Sequence, residues 1–542
     1  MMTKGKLEGK NRVIISNISP TIDCGAFPTK CVIHDEVEIY CDLFADGHDE
    51  LNACLQFRPI NQNTWQHVQL QFLGNDQWTG KFKVDQLGYY EYQIHGWVDP
   101  ILTWHKQIYI KLMAKEDIHN EVLIGIQYLQ TAIKKSRSPK KLQLKNWLNQ
   151  FEKSENLAAI LAEADFKTNL LKYISPEIVS SSNIFTISVE RKKAFFGAWY
   201  EIFPRSLSQA NGHGTLQDLI AHLPYLKELG FDIIYLPPIH PIGKTFRKGK
   251  NNTLPADPAD PGSPWAIGDK HGGHCAIHPL LGTFQDFQAL IHTAQTLELE
   301  IALDFALQCS PDHPFLEEHP EWFKMRPDGT LQYAENPPKK YQDIYPFYFE
   351  TDHWQSLWQA SLNILLFWIE HGVKIFRVDN PHTKPFRFWQ WLIKQVKTQH
   401  PEVIFLSEAF TRPAVMYHLA KVGFTQSYTY FTWRNTKQEL IDYFNELKSE
   451  PLRHFFWPNL WPNTPDILSP YLQAGGTPAF ITRLILAATL GSNYGIYGPV
   501  FEQCLNTPLK PGGEEYRDSE KYEIKHWDKE KNVLRPLITQ IN

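Results

Sequence analysis

Acidic residues stand at or near the ends of three predicted β-strands, where their spacing could support bond-breaking chemistry. Asp304 lies in LEIALDF, Asp379 ends VKIFRVD and Glu408 ends EVIFLSE, while a fourth acid, Asp466, lies in NTPD between later predicted elements. Any one acid after a strand could simply cap the next helix. Three acids at equivalent positions favour a catalytic set, because barrel enzymes carry their chemistry at the carboxyl ends of strands.

Arg377 gives one of these acids a cationic partner. It precedes Asp379 by two positions, so both side chains should point to the same side of the strand. A guanidinium group there can keep a carboxylate ionised and oriented, as a nucleophile requires. Glu408 on the next predicted strand can then act as proton donor. Retaining glycoside chemistry uses such a pair about 5 Å apart, with one carboxyl group ionised and the other protonated.

The elements that would position these acids alternate between apolar strands and amphipathic helices from about residue 193 onwards. The predicted strands are 195–202, 231–236, 299–305, 373–378 and 402–407, and the predicted helices are near 216–229, 285–296, 354–371, 386–398 and 412–421. Repeated β-α units of this size indicate a parallel sheet. The length fits a closed (β/α)8 TIM barrel, which makes this an α/β protein.

The N-terminal third follows different patterns. Residues 12–112 contain short alternating strands separated by turn residues, which predicts a β-sandwich. Residues 113–190 have a helical period interrupted at Ser138-Pro139, which predicts a helical insert and linker. The catalytic barrel is then predicted over 191–542, with 309–350 an extended loop after the third strand. Long excursions after a barrel strand are usually functional.

Composition excludes several classes of function. The chain has 542 residues, a net charge of −5 and no basic block, so nucleic acid is not an expected partner. It has no apolar run long enough to span a membrane, and its polar N-terminus lacks the core of a signal peptide. The seven cysteines show no paired CxxC spacing, which favours free thiols in a reducing cytoplasm.

The acids belong to motifs that resemble glycoside hydrolase family 13, the α-amylase clan. The matching segments are LDFALQ around Asp304, FRVDN around Asp379, SEAF at Glu408 and NTPD at Asp466. The resemblance implies that Asp379 forms a glycosyl-enzyme, Glu408 is the acid/base and Asp466 binds sugar hydroxyls, while Arg377 orients the nucleophile. The clan usually has Asn-His where this chain has Gln308-Cys309, and His where it has Pro465.

Those departures match one subgroup of the clan, the maltosyltransferases that use α-maltose 1-phosphate. The similarity covers nearly the whole chain, in strings such as YLPPIHPIG at 235–243, DPGSPWAIG at 260–268, AENPPKKYQDIYP at 334–346 and QSYTYFTWRNTKQEL at 426–440. The resemblance implies transfer of maltosyl from α-maltose 1-phosphate to an α-1,4-glucan, with release of phosphate. It also implies a homodimer formed through the N-terminal domain and the helical insert.

The same resemblance assigns binding residues by position. Phosphate contacts are implied for Asn336, Lys339, Tyr341 and Asn380, and donor-sugar contacts for Lys248, Gln308 and Asp343. The alternative interpretation of the basic runs that contain these lysines is a solvated loop face. Trp433 could likewise be a sugar platform or a packing residue. We expect no cofactor and no metal, because the spacing of His240, His274, His313 and His382 matches no zinc motif.

Two other functions remain open on the sequence. One is an α-glucan hydrolase or transglycosylase of the same clan, and the other is a truncated, non-catalytic glucan-binding homologue. The second arises because the resemblance implies a β-sandwich after the barrel, whereas the chain reaches Asn542 soon after the last expected barrel helix. A truncated form with uncovered apolar barrel surface should be less stable or less soluble than longer relatives.

Overall fold

Alternating apolar residues in the N-terminal sequence form a two-sheet sandwich in the computed structural model, which describes residues 9–137, 140–208, 212–337 and 339–542. The chain divides into two compact units, Met1–Ser188 and Val189–Asn542. The predicted helix break at Ser138-Pro139 lies outside the described residues. The strands of the first unit are β1 (Ile14–Ser19), β2 (Thr29–Val32), β3 (Glu36–Phe44), β4 (Leu51–Pro59), β5 (Gln66–Gln69), β6 (Gln71–Gly74), β7 (Gln77–Lys83) and β8 (Gly88–Val98).

One sheet has the order β1-β3-β7-β6, and the other contains β2, β8, β4 and β5. In β3, β4 and β8 residues are buried at every second position, as in Ile39, Cys41 and Leu43 of β3. Phe57 of β4 stacks on Phe82 of β7 with ring centroids 4.2 Å apart. The sandwich core therefore forms where the inner faces of the two sheets meet.

The helical insert follows β8 directly. Asp99 caps its first helix by accepting hydrogen bonds from the backbone N–H groups of Ile101 and Leu102. The helices are α1 (Pro100–Ala114), α2 (His119–Lys135), α3 (Lys140–Glu152), α4 (Leu157–Ala162) and α5 (Ala164–Tyr173). They enclose a core of their own around Trp104, Phe151 and Phe166. Two later strands, β9 (Ser180–Ser181) and β10 (Phe185–Glu190), then join the sheet that contains β8.

The second unit is the predicted (β/α)8 barrel. After a short helix, α6 (Lys192–Phe195), its first strands and helices are β11 (Gly197–Glu201), α7 (Leu216–Glu228), β12 (Ile233–Leu236), α8 (Phe284–Thr296) and β13 (Glu300–Phe305). Capping boxes at Thr215 and Thr283 fix where α7 and α8 begin. The excursion after β13 contains β14 (Gln308–Cys309), α9 (Phe315–Glu318), β15 (Ala334–Asn336), β16 (Lys339–Tyr341) and β17 (Tyr345–Pro346).

The remaining barrel elements complete the sheet. They are α10 (Trp354–Glu370), β18 (Ile375–Val378), α11 (Phe386–Gln399), β19 (Ile404–Ser407), α12 (Pro413–Lys421), β20 (Gln426–Ser427), α13 (Lys437–Lys448), β21 (Asn459–Leu460), α14 (Pro470–Leu490), β22 (Asn493–Tyr497), α15 (Gly498–Glu502) and α16 (Arg535–Ile541). The strand order is β20-β19-β18-β13-β12-β11-β22-β21. An isolated parallel bridge between Ser427 and Pro458 closes the circle. The fold class predicted from the sequence is therefore confirmed.

Candidate active site

The predicted acids converge at the carboxyl ends of adjacent parallel strands. Asp379 follows β18, Glu408 follows β19, and both side chains are buried. The Arg377 guanidinium group lies between them. Its Nη1 is 2.8 Å from Asp379 Oδ1 and its Nη2 is 3.3 Å from Glu408 Oε1. One cation therefore contacts both carboxyl groups.

Asp304 supports this arrangement from β13. Its Oδ2 lies 2.9 Å from Arg377 Nη1 and accepts a hydrogen bond of 2.5 Å from the Tyr235 hydroxyl group. Burial raises the pKa of Asp304 well above its ordinary value, although the charge of Arg377 opposes that rise. Because Asp304 touches Arg377, we assign it the role of holding the guanidinium group in place.

Asn380 connects the two central acids through its backbone. Its φ is +42°, in the left-handed region that asparagine adopts more readily than most residues. In that conformation its N–H donates to Glu408 Oε2 at 3.0 Å, while its side-chain amide lies 3.5 Å from Asp379 Oδ2. The buried ammonium group of Lys384 donates to the Asn380 carbonyl oxygen at 3.3 Å. This turn fixes the geometry between the two carboxyl groups.

The two central acids have different surroundings. Burial raises the pKa of Glu408 and the negative charge of Asp379 raises it further, against the opposing effect of Arg377. Glu408 can therefore hold a proton near neutral pH. Asp379 accepts from Arg377 and from the Gln308 side chain, whose Nε2 is 3.3 Å from Oδ2. An ionised carboxylate is purely an acceptor, which suits this set of donors.

Asp466 has a lysine partner that sequence patterns did not indicate. Lys521 Nζ donates to Asp466 Oδ1 at 2.7 Å, from a segment that follows the last barrel strand. Burial raises the pKa of Asp466, but the charge of Lys521 and its hydrogen bond outweigh that effect, so the pKa lies below its ordinary value. Asp466 is therefore held as a carboxylate, which can accept hydrogen bonds from hydroxyl groups.

A Lys521→Met variant should act mainly through Asp466. Removing the ammonium group should raise the pKa of Asp466, so the acidic limb of the pH–rate profile should move to higher pH. We expect kcat/KM for a sugar donor to fall by about 10- to 100-fold. Lys525→Met is the matched control, because Lys525 pairs with Glu523 on the same segment. An unshifted acidic limb in Lys521→Met would contradict this role.

The three candidates of the β15–β16 hairpin have different surroundings. Asn336 is exposed, whereas Tyr341 is half-buried near Lys521, Asp466 and Lys339. The Lys339 ammonium group donates to Glu515 Oε1 at 2.7 Å. Lys339 and Lys340 are both exposed, so the alternative of a solvated loop face stays open for each of them, although Lys339 has an anionic partner.

Lys248 and Asp343 are buried, although both come from polar stretches of sequence. Lys248 Nζ donates to the side-chain oxygen of Gln342 at 2.7 Å, so the solvent-exposed alternative is wrong for this lysine. Asp343 is 2% exposed, and neither of its side-chain oxygens has a hydrogen-bond partner. Burial raises the pKa of Asp343 to about 6, against the opposing charges of Lys248 and Lys521. Buried oxygens without a partner, such as these, could accept hydrogen bonds from a ligand hydroxyl group.

Three of the four candidate histidines form a buried cluster beside the barrel. His274 Nδ1 lies 3.0 Å from His313 Nε2, and His274 Nε2 lies 2.9 Å from the Ala306 carbonyl oxygen. The His313 Nδ1 accepts from the Phe315 N–H at 3.0 Å. These nitrogens are therefore engaged in hydrogen bonds. Among the described residues, no group of three or more His, Cys, Asp or Glu side chains could hold a metal ion.

The third member of this cluster, His240, should make the protein sensitive to acid. Burial lowers its pKa to about 3, below the ordinary value of about 6.5 that it regains on unfolding. Below pH 6.5 the unfolded chain therefore binds a proton that the folded chain does not, and the free energy of unfolding falls by about 1 kcal/mol per pH unit. Denaturant titrations between pH 7.5 and 5 should show a flatter pH dependence for His240→Gln. Equal slopes in the two proteins would contradict this.

Trp433 keeps both of its predicted roles open. Its ring packs edge-on against Phe410 with centroids 5.2 Å apart, and its Nε1 donates to Glu514 Oε1 at 2.7 Å.

Glu201, at the end of β11, is a further residue that sequence reasoning missed. It is buried beside Arg377, Asp304 and Asp466, and burial raises its pKa well above the ordinary value. The one sequence feature that could have identified Glu201 was its position at the end of a barrel strand.

Comparisons with known proteins agree with this fold. A family model described as α-1,4-glucan:maltose-1-phosphate maltosyltransferase, domain N/S, matches residues 11–191. A model of the α-amylase catalytic domain matches residues 201–362. A maltosyltransferase of that name from Methylacidiphilum infernorum is 51% identical over 99% of this chain and 81% of its own length. One from Chlorobaculum tepidum is 48% identical over 99% of this chain and 80% of its own length.

Among solved structures, an α-amylase from Lactobacillus plantarum is 25% identical with a TM-score of 0.49, over 64% of this chain and 78% of its own. The barrel and the acids at its strand ends define an enzyme of the α-amylase class. Within that class, the chain belongs to the α-1,4-glucan:maltose-1-phosphate maltosyltransferase family. It is therefore a glycosyltransferase, and the non-catalytic alternative is not supported.

No helix in the described part of the chain is long and apolar enough to cross a membrane.

Proposed function

We propose that the chain transfers maltosyl from α-maltose 1-phosphate to the non-reducing end of an α-1,4-glucan, with retention of configuration. The observation that carries this proposal is the bridge that Arg377 makes between Asp379 and Glu408. It presents a carboxylate and a protonated carboxyl group to one reacting carbon, as a double displacement requires. The names of the similar maltosyltransferases support the choice of donor and acceptor.

In the first step an Asp379 oxygen attacks the anomeric carbon of the donor, and the bond from that carbon to the phosphate oxygen breaks. Glu408 donates its proton to the departing phosphate. In the second step the glucan 4-hydroxyl oxygen attacks the anomeric carbon, the bond from that carbon to Asp379 breaks, and Glu408 takes the proton of the hydroxyl group. Phosphate is already a good leaving group. The site must therefore chiefly bind its charge and exclude water, so that glucan outcompetes hydrolysis.

The binding residues are those that the resemblance to the maltosyltransferases implies, and their surroundings support the assignment. We assign the phosphate to Asn336, Lys339, Tyr341 and Asn380, which lie on the β15–β16 hairpin and directly after the nucleophile. We assign the donor sugars to Lys248, Gln308 and Asp343, together with Asp466. The Gln308 amide already contacts Asp379 at 3.3 Å, and Asp343 offers two unpartnered oxygens. Sugar hydroxyl groups both donate and accept hydrogen bonds, so oxygen acceptors beside ammonium and amide donors suit them.

One incubation tests the function. The chain is mixed with α-maltose 1-phosphate and a short maltooligosaccharide, and both phosphate and the length of the products are measured. We expect phosphate together with chains longer by two glucose units. The rival function, a hydrolase or transglycosylase of the same clan, would instead release glucose and maltose from starch without phosphate. That result, with no products from the phosphorylated donor, would overturn the proposal.

We further propose that the protein works as a homodimer in the cytoplasm. Apolar side chains are exposed on two helices of the insert, Tyr109, Ile110 and Met113 on α1 and Leu123 and Ile124 on α2. Exposed apolar patches of this kind mark interaction surfaces. All seven cysteines are free, which suits a reducing compartment. Analytical ultracentrifugation should give about twice the chain mass of 63.0 kDa, and Ile110→Asp should lower it. A monomer at micromolar concentration would contradict the dimer.

A further inference from the structure

The lysine assigned to phosphate already has an anionic partner from another part of the barrel unit. Lys339 Nζ lies 2.7 Å from Glu515 Oε1, and the two side chains are 47% and 32% exposed. Burial lowers the pKa of Lys339, but the hydrogen bond and the charge of Glu515 more than offset it. A phosphate group at this position would therefore have to bind an ammonium group that is already paired with a carboxylate.

Such a pair can exchange its anion easily. Ion pairs between partly exposed side chains are individually weak, because solvent screens them and both side chains lose freedom when they pair. A phosphate monoester carries up to two negative charges and forms strong charge-assisted hydrogen bonds. It can displace Glu515 from Lys339, but the carboxylate stays close and repels the bound anion. Glu515 should therefore weaken phosphate binding without preventing it.

The segment that carries Glu515 is anchored near the site. The Leu509 N–H donates to the Glu515 carbonyl oxygen at 2.7 Å, and the Leu468 N–H donates to the Glu514 carbonyl oxygen at 2.6 Å. Asp518 and Asn251 exchange two further hydrogen bonds of 2.8 and 3.0 Å. Because its backbone is held on both sides, the Glu515 carboxylate can return to Lys339 each time the anion leaves.

We propose that Glu515 is a positioning residue that promotes phosphate release by competing with phosphate for Lys339. This inference rests on the proposed function, which makes phosphate the first product and assigns it to that lysine. Glu515 takes the place of the product phosphate on Lys339, since the ammonium group is paired both before the donor binds and after phosphate departs. No covalent bond changes in this exchange.

The test compares Glu515→Gln, Lys339→Met and the double variant, with Glu514→Gln as a matched control. Glu514 adjoins Glu515 and carries the same charge, but its hydrogen-bonded partner is Trp433. Two quantities are measured, the inhibition constant of inorganic phosphate in the transfer reaction and its dissociation constant from calorimetry. We expect Glu515→Gln to lower both by about threefold or more, with a matching fall in KM for the donor. Lys339→Met should raise both constants.

The directions of these changes separate competition from a purely structural role. Loss of a structural ion pair would affect Lys339→Met and Glu515→Gln in the same direction, whereas competition affects their phosphate affinities in opposite directions. In the Lys339→Met background, Glu515→Gln should have a smaller effect, because only the repulsion between the carboxylate and phosphate is left to remove. Unchanged constants in Glu515→Gln, or an equal change in Glu514→Gln, would overturn the inference while leaving the proposed function intact. If Lys339→Met does not weaken phosphate binding, the assignment of phosphate to Lys339 fails as well.

Discussion

Asp379→Asn is expected to lower the rate of phosphate release from α-maltose 1-phosphate by about four orders of magnitude or more. The amide has almost the same shape as the carboxylate and can still accept from Arg377, so folding should be preserved. It cannot attack the anomeric carbon, and loss of a covalent nucleophile typically removes nearly all of the chemical acceleration. Phosphate release under saturating donor is the measurement.

Two checks accompany that result. Asp352→Asn is a control, because Asp352 is an exposed acid just before α10. It should keep full activity. A thermal melt should confirm that Asp379→Asn is folded. A rate within tenfold of the unaltered protein in a folded Asp379→Asn variant would exclude a glycosyl-aspartate at this position.

Glu408→Gln is expected to separate the two halves of the reaction. Phosphate needs little protonation to depart, so the first step should survive in part. The second step needs a base to take the proton of the acceptor hydroxyl group, and loss of a general base typically costs about 10²- to 10⁴-fold. The variant should therefore release about one phosphate per active site in a burst and then turn over slowly.

Mass spectrometry of the intact protein provides the matching measurement. During the slow phase, Glu408→Gln should be heavier by one disaccharide unit, and Asp379→Asn should show no such adduct. Burial and the charge of Asp379 keep the pKa of Glu408 raised, so the Gln variant should also lose the pH dependence due to this group. A uniform slowing without a burst would show that Glu408 acts mainly in the first step.

The sequence predicted those parts of the fold that have strong local patterns. The five barrel strands and the five helices proposed between 195 and 421 all appear, with bounds that shift by a few residues. β20 and β21 have two residues each, and neither they nor the five-residue β22 were predicted. A two-residue strand has no period, and only its neighbours in the closed sheet define it.

The site was predicted as far as its residues lie in motifs. Asp379, Glu408 and Arg377 lie at or next to strand ends, and the structure brings them together. Lys521 and Glu515 could not be found this way. They come from irregular chain after β22 and reach Asp466 and Lys339 through tertiary folding alone. The assigned roles of all these residues, and the predicted domain bounds, remain predictions for the experiments above.

The closure of the barrel has a consequence for inactivation by heat. β20 and β21 meet through the single isolated bridge of Ser427 and Pro458 in the described part of the chain, supported by a side-chain hydrogen bond of 2.9 Å from Asn459 to Gln426. Sheets open first where their ladders are shortest. Glu408 follows β19, which pairs with β20 on one side of this seam, and Asp466 follows β21 on the other side. Warming should therefore separate Asp466 from Asp379 and Glu408 while most of the barrel is still folded.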